Sequence, residues 1–209
     1  MKLHQFDNLI PPTLLRAVAA TWPRDDWPHW HRYHDADADK FASKDSHRLP
    51  DAAKLVIAEM AKLRIDDLLP GCNDCFPDLD LHGAGLHMSL PGGYLGLHLD
   101  GATHPLTSWN RVANAVLFVD DWLPDWGGAL QMVEDGAVTE QILPSRGRVA
   151  LFATAGDAWH QVSQVTGPQR RRTISLFWWS EAPATSERDR AEFCKRPEDQ
   201  KAVETLVGQ

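Results

Sequence analysis

The sequence predicts a mainly β protein, a double-stranded β-helix of the jelly-roll or cupin-like kind with supporting helices on the N-terminal side of the core. Beyond residue 81 the hydrophobic pattern has a period of two, and the apolar segments are short and separated by turns rich in Gly, Pro and Asp. No helical pattern suited to a crossover connection interrupts these segments. About eight such strands can close a barrel whose mouth holds a metal and a small ligand. With 209 residues, of which 43% are hydrophobic, the chain is long enough for one well-filled core.

Two helices are expected before the β region. The first covers residues 11–21, where Pro12 suits a first helical turn. The second covers residues 51–69, whose apolar residues recur at three- and four-residue steps until a Pro-Gly pair ends the pattern. Residues 22–50 are rich in Trp and His and show no clear period. We interpret them either as a flap over the substrate site or as a solvated segment pinned by its tryptophans.

The predicted core strands alternate apolar and polar residues between turn signals. They cover residues 86–90, 94–100, 111–119, 129–134, 137–143, 147–153, 159–165 and 173–180. We therefore expect one structural domain with three parts. Residues 1–80 pack helices and the flap onto the core, residues 81–180 form the core, and residues 181–209 are a C-terminal extension with a terminal helix.

The amino-acid composition limits the classes of binding partner and the cellular compartment that are expected for the protein. A formal net charge of -8 argues against general nucleic-acid or membrane-surface affinity, because basic surfaces usually hold such partners. Three cysteines are too few for a disulfide framework, and the N-terminal residues lack the profile of a secretory signal. Cys72 and Cys75 form a single C-x-x-C, which favours loop cysteines over a zinc or redox site. No apolar run reaches the roughly twenty residues that cross a bilayer. A reducing cytoplasm is the expected location.

The strongest chemical signal is the tripeptide His98-Leu99-Asp100. Residues two apart on a strand face the same side, so His98 and Asp100 can chelate one metal ion. His160, in a later β segment, is the expected third ligand. Two imidazoles and one carboxylate on one face of an ion form the triad of non-haem iron(II) oxygenases, which leaves coordination positions open. A structural zinc site would instead use four protein ligands.

From Leu86 to Trp179 the chain resembles the Fe(II)- and 2-oxoglutarate-dependent dioxygenases, most closely the prolyl-hydroxylase-like branch and its bacterial relatives. The matching segments come in the family's order, and the region from Leu86 to Trp179 that contains them is a little under half of the chain. They are PGGYLGLHLD at 91–100, WLPDWGGAL at 122–130, HQVSQV at 160–165 and RTISLFW at 172–178.

The resemblance implies an oxidative function. Fe(II) would be held by His98, Asp100 and His160, 2-oxoglutarate would chelate the metal, and O2 would take the remaining position, with ascorbate as the expected reductant. The expected reaction is hydroxylation of a C–H bond in a peptidyl (prolyl-like) or small-molecule substrate, with release of succinate and CO2. Related halogenases lack the carboxylate found here at Asp100, so its presence favours hydroxylation. The alternative is a cupin-like metal- or sugar-binding protein or an isomerase on the same barrel.

The resemblance also implies a cation for the 2-oxoglutarate carboxylate that lies far from the metal. In the family this cation stands six residues before the tryptophan of the last strand, and Arg172 stands six before Trp178. Arg172 is therefore the expected residue. The family usually spaces it nine or ten residues after the distal histidine, and Arg170 is ten after His160, so Arg170 remains an alternative. Strand alternation places Arg170 and Arg172 on one face, and Arg171 is expected to matter little.

Three further residues are candidates for binding 2-oxoglutarate. Prolyl hydroxylases often carry a tyrosine on the strand after the metal motif, and Phe118 stands there in this chain. Asn114 on the same strand, or His87 on the preceding strand, could replace the lost hydrogen bond, although a buried Asn satisfied by backbone is the simpler interpretation. Tyr94 could face the site together with His98, four residues along its strand.

Overall fold

The computed structural model describes residues 3–69, 72, 74–154, 156–184, 186, 188 and 190–194. The strands in this part of the chain are β1 (Leu3–Phe6), β2 (Trp30–His34), β3 (Ala38–Ser43), β4 (Phe76–Pro77), β5 (Gly85–Ser89), β6 (Tyr94–Leu99), β7 (Trp109–Phe118), β8 (Leu130–Glu134), β9 (Ala137–Ile142), β10 (Val149–Ala153), β11 (His160–Val162), β12 (Arg171–Pro183) and β13 (Glu192–Phe193). The α-helices are α1 (Pro12–Ala20), α2 (Asp51–Met60) and α3 (Ile65–Leu68).

The strands form one antiparallel sheet that nearly closes into a barrel, which confirms the predicted jelly-roll architecture. The order along the sheet is β1-β10-β7-β12-β5-β3-β6-β11-β8-β9, while β2 pairs with β3, β4 with β12, and β13 with β6. Strand β3 links the two halves of the barrel. It pairs with β5 through Phe41 and Ala42 and with β6 through Ala38 and Asp39.

Alternation along the strands divides the interior into two regions. Leu176 and Trp178 of β12 face outward and are buried with Met60 of α2 in the larger core cluster. Phe118 and Phe152, on neighbouring strands, belong to a second cluster that faces into the barrel. The helices therefore cover the outer face of the central strands, and the inner face of the same strands is free to line a site.

The structure departs from the predicted elements in several places. The helix predicted over residues 51–69 is divided into α2 and α3, and the short strand β4 was not predicted. The segment interpreted as an irregular flap contains the β2–β3 hairpin. Strand β12 continues to Pro183, and the short β13 follows, where a terminal helix was expected; residues 195–209 lie outside the described part. Strand β1, at the N-terminal end, was not predicted and pairs with β10. Among the helices within the described ranges, none is long and apolar enough to cross a bilayer.

Replacing Leu176 with alanine is expected to lower the free energy of unfolding by about 2–5 kcal/mol. The side chain is fully buried between the sheet and the helices, so the change leaves a cavity. Urea denaturation followed by tryptophan fluorescence measures the effect. Leu123, which is 52% exposed, provides the matched control, and its alanine variant is expected to change stability by about 0.5 kcal/mol or less. Equal effects at the two positions would contradict this assignment of the core.

Candidate active site

The structure brings His98, Asp100 and His160 together inside the barrel. His98 lies in β6, Asp100 follows directly after this strand, and His160 opens β11, where it pairs with His98. The Nε2 atom of His98 lies 3.6 Å from one carboxylate oxygen of Asp100, and the Nε2 atom of His160 lies 3.8 Å from the other. All three donor atoms lie within 4.8 Å of one another.

Backbone hydrogen bonds fix the tautomers of the two imidazoles. The Nδ1–H of His98 donates to the carbonyl of Gly96 at 2.8 Å, and the Nδ1–H of His160 donates to the carbonyl of Ala158 at 2.9 Å. Because a neutral imidazole carries one proton, each Nε2 atom keeps its lone pair. The carbonyls of Gly96 and Ala158 thus present both histidines in the form that binds a metal.

The protonation states also suit a metal site. Burial, together with the charge of His98, lowers the pKa of His160 to about 4, so this imidazole is neutral at pH 7. Burial acts to raise the pKa of Asp100, but His160, His98 and Arg111 oppose it, and the net pKa lies well below the usual carboxyl range. His160 therefore offers a neutral nitrogen donor and Asp100 an anionic oxygen donor.

The donor set fits a six-coordinate iron(II) ion. Neighbouring donors around such an ion lie about 3 Å apart when metal–ligand bonds are about 2.1 Å long, so the observed separations need only small shifts. Asn114 of β7 adds a supporting contact, because its Nδ2 lies 3.5 Å from a carboxylate oxygen of Asp100. The Oδ1 atom of Asn114 is buried without a partner among the described residues, so it could accept a hydrogen bond from a ligand bound in the cavity.

An arginine also lies inside the barrel, and it is Arg171. This side chain is only 6% exposed, and its Nε–H donates to the carbonyl of Gly128 at 2.7 Å. Its guanidinium carbon lies 5.1 Å from the centre of the Phe118 ring. Burial lowers its pKa to about 10, so the group remains charged at neutral pH. A cation in the same interior as three metal donors is the arrangement that a dicarboxylate co-substrate requires.

Residues 84–179 match the family model described as the 2OG-Fe(II) oxygenase superfamily. This segment of the chain belongs to that superfamily. Its members use Fe(II), 2-oxoglutarate and O2, and the triad of this oxygenase fits the iron. The match does not favour the alternative of a cupin-like sugar-binding protein or isomerase.

Solved structures with the same fold include several oxygenases. A prolyl-4-hydroxylase from Pseudomonas putida has a TM-score of 0.59 and 24% identity, over 85% of this chain and 90% of that one. A prolyl hydroxylase from Trichoplax adhaerens, in complex with a hypoxia inducible factor peptide, has a TM-score of 0.59 and 16% identity, over 86% and 84%. HygX from Streptomyces hygroscopicus, with nickel, 2-oxoglutarate and hygromycin B bound, has a TM-score of 0.51 and 9% identity, over 86% and 83%. No curated protein matches the sequence of this oxygenase.

The expected position of the 2-oxoglutarate cation needs correction, because Arg172 and Arg170 both lie outside the barrel of the oxygenase. Arg172 pairs with Asp120, to which its Nε–H donates at 3.0 Å, and also donates to the backbone of Ala19. Arg170 pairs with the exposed Asp25 at 2.6 Å.

Arg172 points away from the barrel because side chains along β12 alternate between the two faces of the sheet. Ile174 and Leu176 share a face with Arg172, and that face packs on the outer core beneath the helices. Thr173 and Ser175 share the other face with Arg171. In the sequence, the polar Thr173 and Ser175 alternate with apolar residues, and this pattern could have indicated which face of β12 points into the barrel.

Tyr94 also lies away from the position expected for it in the oxygenase. Its hydroxyl donates to the backbone carbonyls of Asp35 and Ala36 in the β2–β3 turn. The register between β6 and β11 shifts between His98 and Leu95, which adds one residue to β6. Such a bulge reverses the facing of every residue beyond it, so Leu95, rather than Tyr94, shares the inner face with His98.

A cavity of about 780 Å³ opens beside Asp100. Some of the residues that line it were predicted from the sequence and others were not. His87 lines it as expected, and burial lowers the pKa of His87 well below its ordinary value of 6.5. Lys40 of β3 and Arg111 of β7 also line it, and neither was predicted. The guanidinium of Arg111 stacks on the ring of Phe177 at 3.9 Å. The oxygenase cavity is thus richer in cations than the sequence suggested.

Cys72 and Cys75 of the C-x-x-C segment do not line the cavity beside Asp100. Burial raises the pKa of Cys75 to about 12 and also raises the pKa of Cys72. Because the thiolate is the reactive form, high thiol pKa values disfavour a redox role. This agrees with the interpretation of both residues as loop cysteines.

The metal-free oxygenase is expected to lose stability as the pH falls below about 6.5. Burial, with Lys40 and Arg171 nearby, keeps His87 neutral when folded, whereas Asp100 acts in the opposite direction. The unfolded chain therefore binds one more proton than the folded chain below this pH. This residue alone contributes a slope approaching about 1.4 kcal/mol per pH unit. Urea titrations between pH 5 and pH 7 measure it, and the His87→Gln variant should show a shallower slope. Identical slopes in the two proteins would contradict the prediction.

Proposed function

We propose that this oxygenase is a hydroxylase in which His98, Asp100 and His160 hold Fe(II) and Arg171 binds the far carboxylate of 2-oxoglutarate. One observation carries the proposal: a buried arginine and a complete facial triad share the interior of one barrel. An arginine offers several N–H donors in a planar fork, which matches the geometry of a carboxylate. Phe118 supplies an apolar floor under the guanidinium.

Iron bound with 2-oxoglutarate supplies the oxidising power that transfers one oxygen atom of O2 to a substrate C–H bond, while 2-oxoglutarate becomes succinate and CO2. The chain itself orients and encloses the reactants. The Nε–H of Arg188 donates to the backbone carbonyl of Asp100 at 2.7 Å and holds this ligand at the end of its strand. The ring of Phe193 stacks on His98 at 5.2 Å and limits the access of water to the metal side of the cavity. Asn114 orients the Asp100 carboxylate.

We propose a peptidyl substrate of the prolyl type, in keeping with the prolyl hydroxylases that share the fold. The β2 strand supports this choice. Among the residues that the structure describes, it pairs on one side only, with β3, and its residues His31 and Tyr33 line the cavity. An unpaired strand edge beside an active-site cavity can hold an extended peptide through backbone hydrogen bonds.

The substrate experiment offers a panel of proline-containing peptides, free amino acids and aminoglycosides with Fe(II), ascorbate and 2-oxoglutarate. Mass spectrometry should find one added oxygen on a prolyl peptide, and the Asp100→Ala variant should give none. Oxidation of a free small molecule alone would contradict the peptidyl assignment and retain the hydroxylase. We also propose a cytoplasmic location, because a reducing compartment suits an iron site that works in the ferrous state.

A further inference from the structure

Lys40 and Arg171 occupy one row across three neighbouring strands. Phe41 pairs with Met88 between β3 and β5, so the adjacent Lys40 stands opposite Ser89. Ser89 in turn pairs with Arg171 between β5 and β12. Residues in register on adjacent antiparallel strands face the same side of the sheet. Lys40 and Arg171 therefore point into the barrel from either side of Ser89, two strands or about 10 Å apart.

The ammonium of Lys40 has no ionic partner in the described part of the chain. Its Nζ atom lies 5.6 Å from the centre of the Tyr33 ring. Burial lowers the pKa of Lys40 to about 8; the charge of Asp100 acts to raise it, and the charge of Arg171 acts to lower it. Two cations that share a buried space without an anion between them are costly. The row therefore favours an anionic ligand.

The row shares its cavity with the metal donors. Lys40 and the metal ligand Asp100 both line this cavity, and the pairing of β3 with β6 at Asp39 and Tyr94 places Lys40 at an earlier level of the barrel than His98. An anion between Lys40 and Arg171 can therefore belong to a ligand whose other end reaches the metal.

We propose that Lys40 is a second cationic anchor for the 2-oxoglutarate carboxylate remote from the metal, acting together with Arg171. The inference rests on the proposed function, because it concerns the same co-substrate. A carboxylate has two oxygens with about four acceptor positions, so two cations can bind it from opposite sides. On the Arg171 side, Phe118 offers a ring face and no hydrogen bond. Lys40 supplies the additional charge from the opposite side.

The test compares two ligands that differ only in the remote carboxylate. Calorimetry measures the Kd values of 2-oxoglutarate and 2-oxopentanoate for the full-length protein loaded with Mn(II), which replaces iron without turnover. The variants are Lys40→Met and Lys40→Gln, with Lys40→Arg to restore the charge. Lys44→Met is the matched control, because Lys44 also lines the cavity but lies on an exposed part of its rim.

Loss of the Lys40 charge is expected to raise the Kd of 2-oxoglutarate about tenfold and to leave the Kd of 2-oxopentanoate within about twofold. Lys40→Arg and Lys44→Met should stay within about threefold of the wild-type value. An equal rise in the Kd of both ligands would show that Lys40 has only a structural role. An unchanged Kd for both ligands would also overturn the inference. If the wild-type protein itself binds no 2-oxoglutarate, the proposed function fails instead.

Discussion

Replacing Arg171 with alanine is expected to raise the Kd for 2-oxoglutarate about 100-fold, with metal affinity retained. The change removes the guanidinium that the barrel holds between the Gly128 carbonyl and the Phe118 ring. Charge-assisted hydrogen bonds are worth about 1.5–3 kcal/mol each, and a buried fork that makes two of them accounts for the expected loss. Calorimetry with the Mn(II)-loaded protein measures it.

The matched control is Arg172→Ala, one residue along the same strand. Its side chain pairs with Asp120 outside the barrel, so the Kd for 2-oxoglutarate should change by about twofold or less. A strong effect of Arg172→Ala combined with a weak effect of Arg171→Ala would contradict the assignment of Arg171 to the co-substrate. It would favour Arg172, the residue expected from the sequence spacing.

Replacing Asp100 with alanine is expected to lower Mn(II) affinity about 100-fold or more, because the variant loses the anionic donor of the triad. Only the two imidazoles of His98 and His160, with ring centres 4.2 Å apart, would then remain as donors of the triad. Electron paramagnetic resonance of free Mn(II) measures the bound fraction.

Asp37→Ala provides the control for this loss, since Asp37 lines the same cavity but contributes no donor to the triad. The control should bind Mn(II) as the wild-type protein does. Unchanged Mn(II) binding by Asp100→Ala would show that the metal is held elsewhere.

The sequence indicated the metal donors because their geometry is local. His98 and Asp100 are two residues apart on one strand, and the only long-range requirement was that the strand of His160 should lie beside theirs. The choice of arginine depended instead on the face of β12, which is a tertiary property. Counting from Trp178 placed Arg172 inward, whereas packing of Leu176 and Trp178 beneath the helices turns that face outward.

Two other features could not be read from the sequence for identifiable physical reasons. The bulge in β6 reverses the face on which Tyr94 lies, and an inserted residue leaves no mark on a short strand pattern. The hairpin strand that carries Lys40 gives little hydrophobic alternation, because one of its faces meets a polar cavity. The sequence pattern therefore gave no reason to assign Lys40 to a strand that lines the site.

The central claim is tested most directly by succinate formation from 2-oxoglutarate by the purified protein in air with Fe(II) and ascorbate, with a substrate panel present. We predict succinate that requires both Fe(II) and 2-oxoglutarate and that is lost in the His98→Ala and Asp100→Ala variants. Succinate formed equally by these variants, or a wild-type protein that neither binds 2-oxoglutarate nor releases succinate, would contradict the assignment of this barrel as the oxygenase site.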